Sequence, residues 1–264
     1  MIAIIKKCLK KVLTPKQIKI LRNSYKHLKI YLKSYLYSKD LQKLATLYGT
    51  DKWNRHWYAQ HYQKHFCHLR KQKLNILEIG AGGEEDPARG GNSLRMWKRY
   101  FPNSVIYSID IYDKALLQEK RIEIFRGNQN DPRFLKDVFN NIGSLDIVID
   151  DGSHINEHVI TAFKTLFPLL NNGGIYVIED LQASYYPEYG GDSENLNNPN
   201  TTMNFFKSLT DCLNHVEFLK AGCVPSYFDK NIIAIYFYHS LAFIFKGIND
   251  EKSTSRKTAK ENFS

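Results

Sequence analysis

The sequence predicts an α/β protein built on a mostly parallel sheet with helices on both faces. Three observations lead there. From Leu74 onward, short apolar runs bounded by turn residues alternate with segments of helical periodicity. Two of those runs end in acid pairs, Asp150-Asp151 and Glu179-Asp180, at the place where open α/β sheets present binding groups. The chain of 264 residues, 43% hydrophobic and 13% aromatic, is long and apolar enough to bury one large core.

Taken in order, the first element is a helix. Thr14 is placed to cap it, Pro15 takes the first helical position, and Gln17 completes a capping box. Ile18, Leu21, Tyr25, Leu28, Leu32 and Tyr35 follow at spacings of three and four, with Lys19, Arg22, Lys26, Lys29 and Lys33 off that seam. Residues 1–40 therefore read as a basic amphipathic helical arm, residues 41–248 as the main domain, and residues 249–264 as a polar, frayed tail.

Within the main domain, Leu74–Ile79, Val105–Asp110 and Arg121–Phe125 read as three strands, and Leu145–Asp150 and Gly174–Glu179 as a fourth and fifth. Helices are expected over Ser93–Tyr100, with Ser93 able to cap, and over Pro132–Asn140, Asn156–Leu170 and Thr202–Leu213. A loop rich in Gly, Asn and Pro covers Tyr186–Asn200. Two closing β elements within Ile232–Gly247 bring the sheet to seven strands.

The net charge of +10 is gathered at one end. Residues 1–39 hold eleven Lys or Arg and no acid, leaving 26 of the 37 basic residues against all 27 acidic ones. A near-neutral body argues against nucleic acid as a partner. Cys8, Cys67, Cys212 and Cys223 show no CxxC spacing, so neither a disulfide framework nor a zinc site is indicated, and a reducing compartment is expected. The opening MIAIIKKCLKKVL is broken by lysines and has no cleavage site, and no run approaches the roughly 20 apolar residues of a membrane span. The arm suits an anionic membrane surface as well as it suits docking on the body or on a second subunit. The expectation is a cytoplasmic protein, with peripheral contact at the inner face of the membrane through residues 1–38, or a homo-oligomer.

If the fourth and fifth strands are parallel neighbours, about 4.8 Å apart, then Asp151, Glu179 and Asp180 emerge together and can surround one hard cation. Oxygen-only donors favour Mg²⁺ or Mn²⁺ over zinc. Asp150 points to the other side of its strand by the period of two and is left out of that set. His154, three residues beyond Asp151, is placed to act as a base beside the cation. The first strand closes in Glu78-Ile79-Gly80-Ala81-Gly82-Gly83, with the glycines that let a backbone turn sharply and approach a ligand. Glu85 stands where a dinucleotide fingerprint wants its third glycine. Asp110 ends the second strand, where a carboxylate can accept both hydroxyls of a ribose.

These motifs, in this order, resemble the class I S-adenosylmethionine-dependent methyltransferases, and more narrowly the metal-dependent O-methyltransferases that tailor macrolide sugars. The likeness covers about Leu41–Gly247 and includes YGTDKWNRHWYAQHY, GGNSLRMWKRYFP, GNQND, YPEYGG and FYHSLAFIFKG, with 28 residues from Asp151 to Glu179. It implies a Rossmann-like seven-stranded sheet and an enzyme that methylates a hydroxyl of a sugar-containing acceptor: a natural-product glycoside, a nucleotide sugar or a cell-surface glycan. It further implies that Asp151, Glu179 and Asp180 hold Mg²⁺ and that His154 deprotonates the hydroxyl. On the same footing, Glu78, Gly80 and Gly82 line S-adenosylmethionine, Asp110 meets its ribose, Asn128 and Gln129 its adenine, and Ser93, at a helix start, its carboxylate. Asn128 departs from the acid that many members of that family carry.

Plainer readings stand beside these. DGSH is also an ordinary turn leading into a helix, and His154 an ordinary loop histidine. His56, His61, His65 and His68 read as surface or packing residues. Lys52, Trp53 and Trp57 are candidates to close over the cofactor, with core packing the alternative, and YPEYGGD is a candidate lid or a long mobile loop. A dehydrogenase is disfavoured by Glu85 and the acid cluster. A non-catalytic membrane-surface or assembly protein that keeps the fold gives no reason for the acids and His154 to coincide.

Overall fold

The computed structural model describes residues 14–218 and 224–253. The expectations for the first thirteen residues and for the end of the tail lie outside the described residues. The chain divides into two compact units, one running to Lys71 and taking in Arg95–Pro102, the other comprising Gln72–Leu94 and everything from Asn103 onward.

In the first unit, α1 (Pro15–Leu36) starts as expected: Thr14 Oγ1 accepts from Gln17 N–H at 3.3 Å and Gln17 Oε1 accepts from Thr14 N–H at 2.9 Å. Two helices follow where no sequence signal was read. α2 (Leu41–Tyr48) is capped by Asp40 and stopped by Gly49 at φ 72°, and α3 (Ala59–Phe66) comes after it. α4 (Asn92–Tyr100) joins this unit from Arg95 onward. The core here is aromatic, with Trp97 edge-on to Tyr62 and Phe66 at ring distances of 4.9 and 6.1 Å. The Arg99 guanidinium lies 3.8 Å over the Tyr35 ring and 5.3 Å from that of Tyr31, pinning the end of α1. The apolar seam of α1 is not what packs: Tyr25, Leu28 and Leu32 are more than half exposed, while Ser34 is fully buried.

The second unit is a seven-stranded sheet in the order β3-β2-β1-β4-β5-β7-β6. Its strands are β1 (Asn75–Ile79), β2 (Val105–Asp110), β3 (Ile122–Arg126), β4 (Leu145–Asp150), β5 (Leu170–Ile178), β6 (Ile232–Tyr238) and β7 (Leu241–Lys246). The first five are parallel, and β7 inserts antiparallel between β5 and β6. Leu77, Val148 and Tyr176 on one face and Ile76, Ile147 and Ile149 on the other are all fully buried. Both faces are therefore covered, which is why these strands read as continuous apolar runs.

Of the connecting helices, α5 (Pro132–Ile142) begins at its Asp131 cap and runs past the expected Asn140 until Gly143, at φ 84°, ends it. α6 (Asn156–Leu166) stops short of the expected Leu170 because Pro168 has no N–H to continue the ladder. The chain makes a 3₁₀ turn over Phe167–Leu169 and enters β5 at Leu170, earlier than expected. The helix expected over Thr202–Leu213 is α7 (Thr202–Ser208), continued as a 3₁₀ segment to Glu217 that breaks at Asn214. A short α8 (Tyr227–Asn231) leads into β6.

Candidate functional site

The strand order reverses between β1 and β4, so the loops that follow these two strands meet in one crevice at the carboxyl edge of the sheet. They touch: a Cβ on Gly80, whose φ is +96°, would lie 2.2 Å from the Asp151 carbonyl oxygen. Only glycine fits there. Gly82 is also left-handed, with open space where its Cβ would be.

The groups assigned to the cofactor are drawn together around this loop. Glu78 is fully buried and accepts a hydrogen bond of 2.8 Å from Ser93 Oγ. Ser93 lies inside the first turn of α4 and not before it, so it serves Glu78 and is not the helix cap expected. Asp110 accepts from Ala81 N–H and from Tyr112 N–H, each at 2.9 Å, tying the end of β2 to the glycine loop. Beneath the loop, Lys114 is 1% exposed. Its Nζ donates to the carbonyls of Glu84 (2.6 Å), Asp86 (2.8 Å) and Arg89 (3.2 Å), using all three donors of the ammonium. No sequence pattern pointed to it.

Asn128 and Gln129 part company. Asn128 is exposed, and its Oδ1 accepts from Asn130 N–H at 2.8 Å. Gln129 is buried, its Nε2 donating to Asp150 Oδ1 (3.1 Å) and its Oε1 accepting from Ser153 N–H (2.7 Å). Both ends of its carboxamide are engaged by the protein, at the position where the resemblance implies an adenine contact.

On the other side of the crevice, one donor atom each of Asp151, His154 and Asp180 lies within 4.8 Å of the others. His154 Nε2 is 3.5 Å from Asp180 Oδ2. Glu179 is buried and lies outside this cluster of three, in register with Asp151 through the pairing of Asp150 with Ile178. His154 (φ 58°) and Asp180 (φ 54°) are both left-handed, a conformation that costs a non-glycine residue about 1–3 kcal/mol and gathers at functional sites. Asp150 faces away, as its alternation requires. It is 1% exposed and also accepts from Tyr176 Oη at 3.3 Å, and burial pushes its carboxyl up to about 7.

The YPEYGG segment is folded down beside the cluster. Asn156 Nδ2 donates to the carbonyls of Ala183 (3.3 Å) and Tyr189 (2.8 Å), and the Tyr189 ring stands 6.4 Å from that of His154. Leu181 N–H donates to Ser240 O (3.1 Å), in the turn between β6 and β7. In the first unit, Lys52 is buried, Trp53 and Trp57 meet edge-on at 4.8 Å, and Trp57 is 55% exposed. The carboxylates of Asp151 and Asp180, partly buried and with a third acid adjacent in sequence, fit a divalent cation, and the His154 imidazole lies beside them. The neighbouring crevice, lined by glycine backbone and a carboxylate at the end of β2, fits a nucleoside.

A sheet of this order, with its glycine loop after β1 and its acid cluster after β4 and β5, is the fold of the class I S-adenosylmethionine-dependent methyltransferases. No protein-family model matches the chain. Demethylmacrocin O-methyltransferase of Streptomyces fradiae is 47% identical over 214 residues, 80% of this chain and 54% of that protein. Mycinamicin VI 2''-O-methyltransferase of Micromonospora griseorubida is 45% identical over the same shares of each. The crystal structure of MycE methyltransferase, solved in complex with Mg, SAH and mycinamycin VI, superposes with a TM-score of 0.78 at 44% identity, covering 84% of this chain and 57% of that one. The chain belongs to the branch of the class that contains these macrolide-sugar O-methyltransferases, and it spans about half the length of the curated relatives it matches.

Proposed function

We propose that this chain is an S-adenosylmethionine-dependent, divalent-metal-assisted O-methyltransferase acting on a hydroxyl of a sugar-containing acceptor. The convergence of Asp151, His154 and Asp180 beside the glycine crevice carries that reading. Asp151 and Asp180 hold the ion, with Glu179 as a further carboxylate from the same edge. Glu78, Gly80 and Gly82 line S-adenosylmethionine, Asp110 receives its ribose, Ser93 serves its carboxylate end, and Asn128 stands at its base.

A bound divalent cation acidifies the acceptor hydroxyl, and S-adenosylmethionine supplies an activated methyl group. His154 Nε2 takes the hydroxyl proton, and Asp180 Oδ2 at 3.5 Å stabilises the imidazolium that results. The acceptor oxygen forms its bond to the methyl carbon as the carbon–sulfur bond breaks, leaving the electron pair on sulfur. Tyr189, beside His154, walls the acceptor side, and the folded YPEYGG segment covers it as a lid.

The acceptor class rests on the relatives, which are named for macrolide and tetracenomycin glycosides. Contact with an anionic membrane through residues 1–38 belongs to the same proposal, at the cytoplasmic face. Tyr25, Leu28 and Leu32 are exposed beside an exposed Lys29, on an arm that carries no acid. No helix among the described residues is long and apolar enough to cross a membrane.

The test is calorimetric titration of S-adenosylmethionine and of Mg²⁺ into the full chain and into Asp151→Ala, followed by methyl transfer to rhamnosyl glycosides. The proposal expects cofactor binding in both proteins, and Mg²⁺ binding and turnover in the wild type alone. Cofactor binding without Mg²⁺ dependence or turnover on any glycoside would favour a non-catalytic protein that keeps the fold. Removal of residues 1–38 should abolish sedimentation with anionic vesicles, and unchanged sedimentation rules out the arm as the anchor.

A further inference from the structure

We infer that Gln129 is a positioning residue whose carboxamide clamps the turn Gly152–His154 onto Asp150 and so fixes where Asp151 and His154 stand. The inference rests on the proposed function for what those two residues do.

Gln129 follows β3, yet it reaches β4. Its Nε2 donates to Asp150 Oδ1 at 3.1 Å while its Oε1 accepts from the backbone N–H of Ser153 at 2.7 Å. Asp150 is held in turn by Tyr176 Oη at 3.3 Å, and the three side chains are 6%, 1% and 0% exposed. On the far side of the turn, Ser153 Oγ meets His158 Nδ1 at 3.0 Å. The turn is thus gripped from both sides, directly between the two site residues it carries.

Gly152 adds an independent observation. Its φ is not in the left-handed region, so its backbone does not ask for glycine. Space does: a Cβ there would lie 2.1 Å from Gln129 Oε1. The glycine of the DGSH motif is therefore explained by the approach of this amide. Gln is also the residue type the position needs, since a carboxamide presents a donor to Asp150 and an acceptor to Ser153 at once. A leucine removes the donor to Asp150 Oδ1 and the acceptor of the Ser153 N–H, leaving the buried carboxylate to Tyr176 on its other oxygen. His154 sits in a left-handed conformation that an unrestrained loop would relax, and the clamp opposes that relaxation.

The experiment compares the full-length wild type with Gln129→Leu, Tyr176→Phe and Gly152→Ala, each checked for folding by circular dichroism. Four quantities are read: amide hydrogen exchange of Ser153 in metal-free protein, Mg²⁺ affinity by calorimetry, S-adenosylmethionine affinity and kcat. For Gln129→Leu the clamp predicts Ser153 exchange at least about tenfold faster, Mg²⁺ affinity or kcat about 10–100-fold lower, and cofactor affinity within about threefold of wild type. Tyr176→Phe, which keeps the ring against Phe163 and removes the hydroxyl, should move the same readouts the same way by a smaller factor. Gly152→Ala should reproduce Gln129→Leu, and the two together should be no worse than either alone. Unchanged Ser153 exchange and Mg²⁺ affinity in folded Gln129→Leu overturn the inference, as does a loss confined to cofactor affinity. Should Gln129→Leu fail to fold, Tyr176→Phe and Gly152→Ala decide by the same criteria. A wild type that binds no Mg²⁺ sinks the proposed function, while Ser153 exchange still decides the clamp.

Discussion

Replacing Lys114 by Met keeps an unbranched side chain of similar reach and removes only the ammonium. Three backbone carbonyls at 2.6, 2.8 and 3.2 Å then face a thioether. A buried acceptor that loses its partner costs about 1–3 kcal/mol, but Glu84, Asp86 and Arg89 lie on an exposed loop where water can reach some of them, so a net loss of about 2–4 kcal/mol is expected. At roughly 2–4 °C per kcal/mol for a domain of this size, the melting temperature should fall by about 5–15 °C. The loop also borders the crevice in which S-adenosylmethionine is proposed to bind, so its affinity should fall with the loop. Thermal unfolding followed by circular dichroism, with calorimetric titration well below the transition, measures both. A Tm within about 2 °C of wild type and an unchanged Kd would refute the reasoning, because the ammonium would then be dispensable to a loop that hydrates freely.

Two further outcomes follow from single positions. Gly80→Ala forces a Cβ to within 2.2 Å of the Asp151 carbonyl at a φ of +96°, and should cost on the order of 3 kcal/mol or leave the protein insoluble; a Tm lowered by less than about 2 °C contradicts the contact. His65 is buried on α3, where desolvation and then the charges of Lys64, His61 and His68 pull its imidazole down to about 4. The unfolded chain takes that proton near about 6.5, so the unfolded state binds more protons between these values. Stability is full above that window and should fall as pH drops through it. His65→Gln should shrink the difference in Tm between about pH 7.5 and pH 5, and an unaltered difference counts against the assignment.

The parallel strands were legible because each is a run of apolar residues that stops near a glycine or an acid, and β1, β2 and β4 lie within a residue or so of where that pattern places them. α2 carries its helical spacing in only eight residues, LQKLATLY behind the Asp40 cap, and α3, AQHYQKHF, is as short and too rich in aromatics and histidines to show a helical period. Asp151, His154 and Asp180 were found since DGSH and ED each close a buried strand. Alternation puts Glu179 in register with Asp151, and it is the left-handed bend at Asp180 that brings the next acid to the cluster. Nothing in residue type announces that bend. The hold of Gln129 on Asp150 was not legible either: an amide can face ligand or protein, and this partner lies 21 residues further on.

The place of β7 in the sheet has a consequence for how the protein is made. β5, which leads into Glu179 and Asp180, is paired on its outer side only by β7, and the turn that precedes β7 holds Leu181 through Ser240. During synthesis, β4 and β5 leave the ribosome well before that partner exists. A nascent chain can therefore carry every acid and histidine of the site while Ile175, Tyr176, Val177 and Ile178 still form an open, apolar edge. Assembly of the site is deferred until the closing hairpin arrives, and the interval before it is when the chain is most exposed to pairing with its own copies.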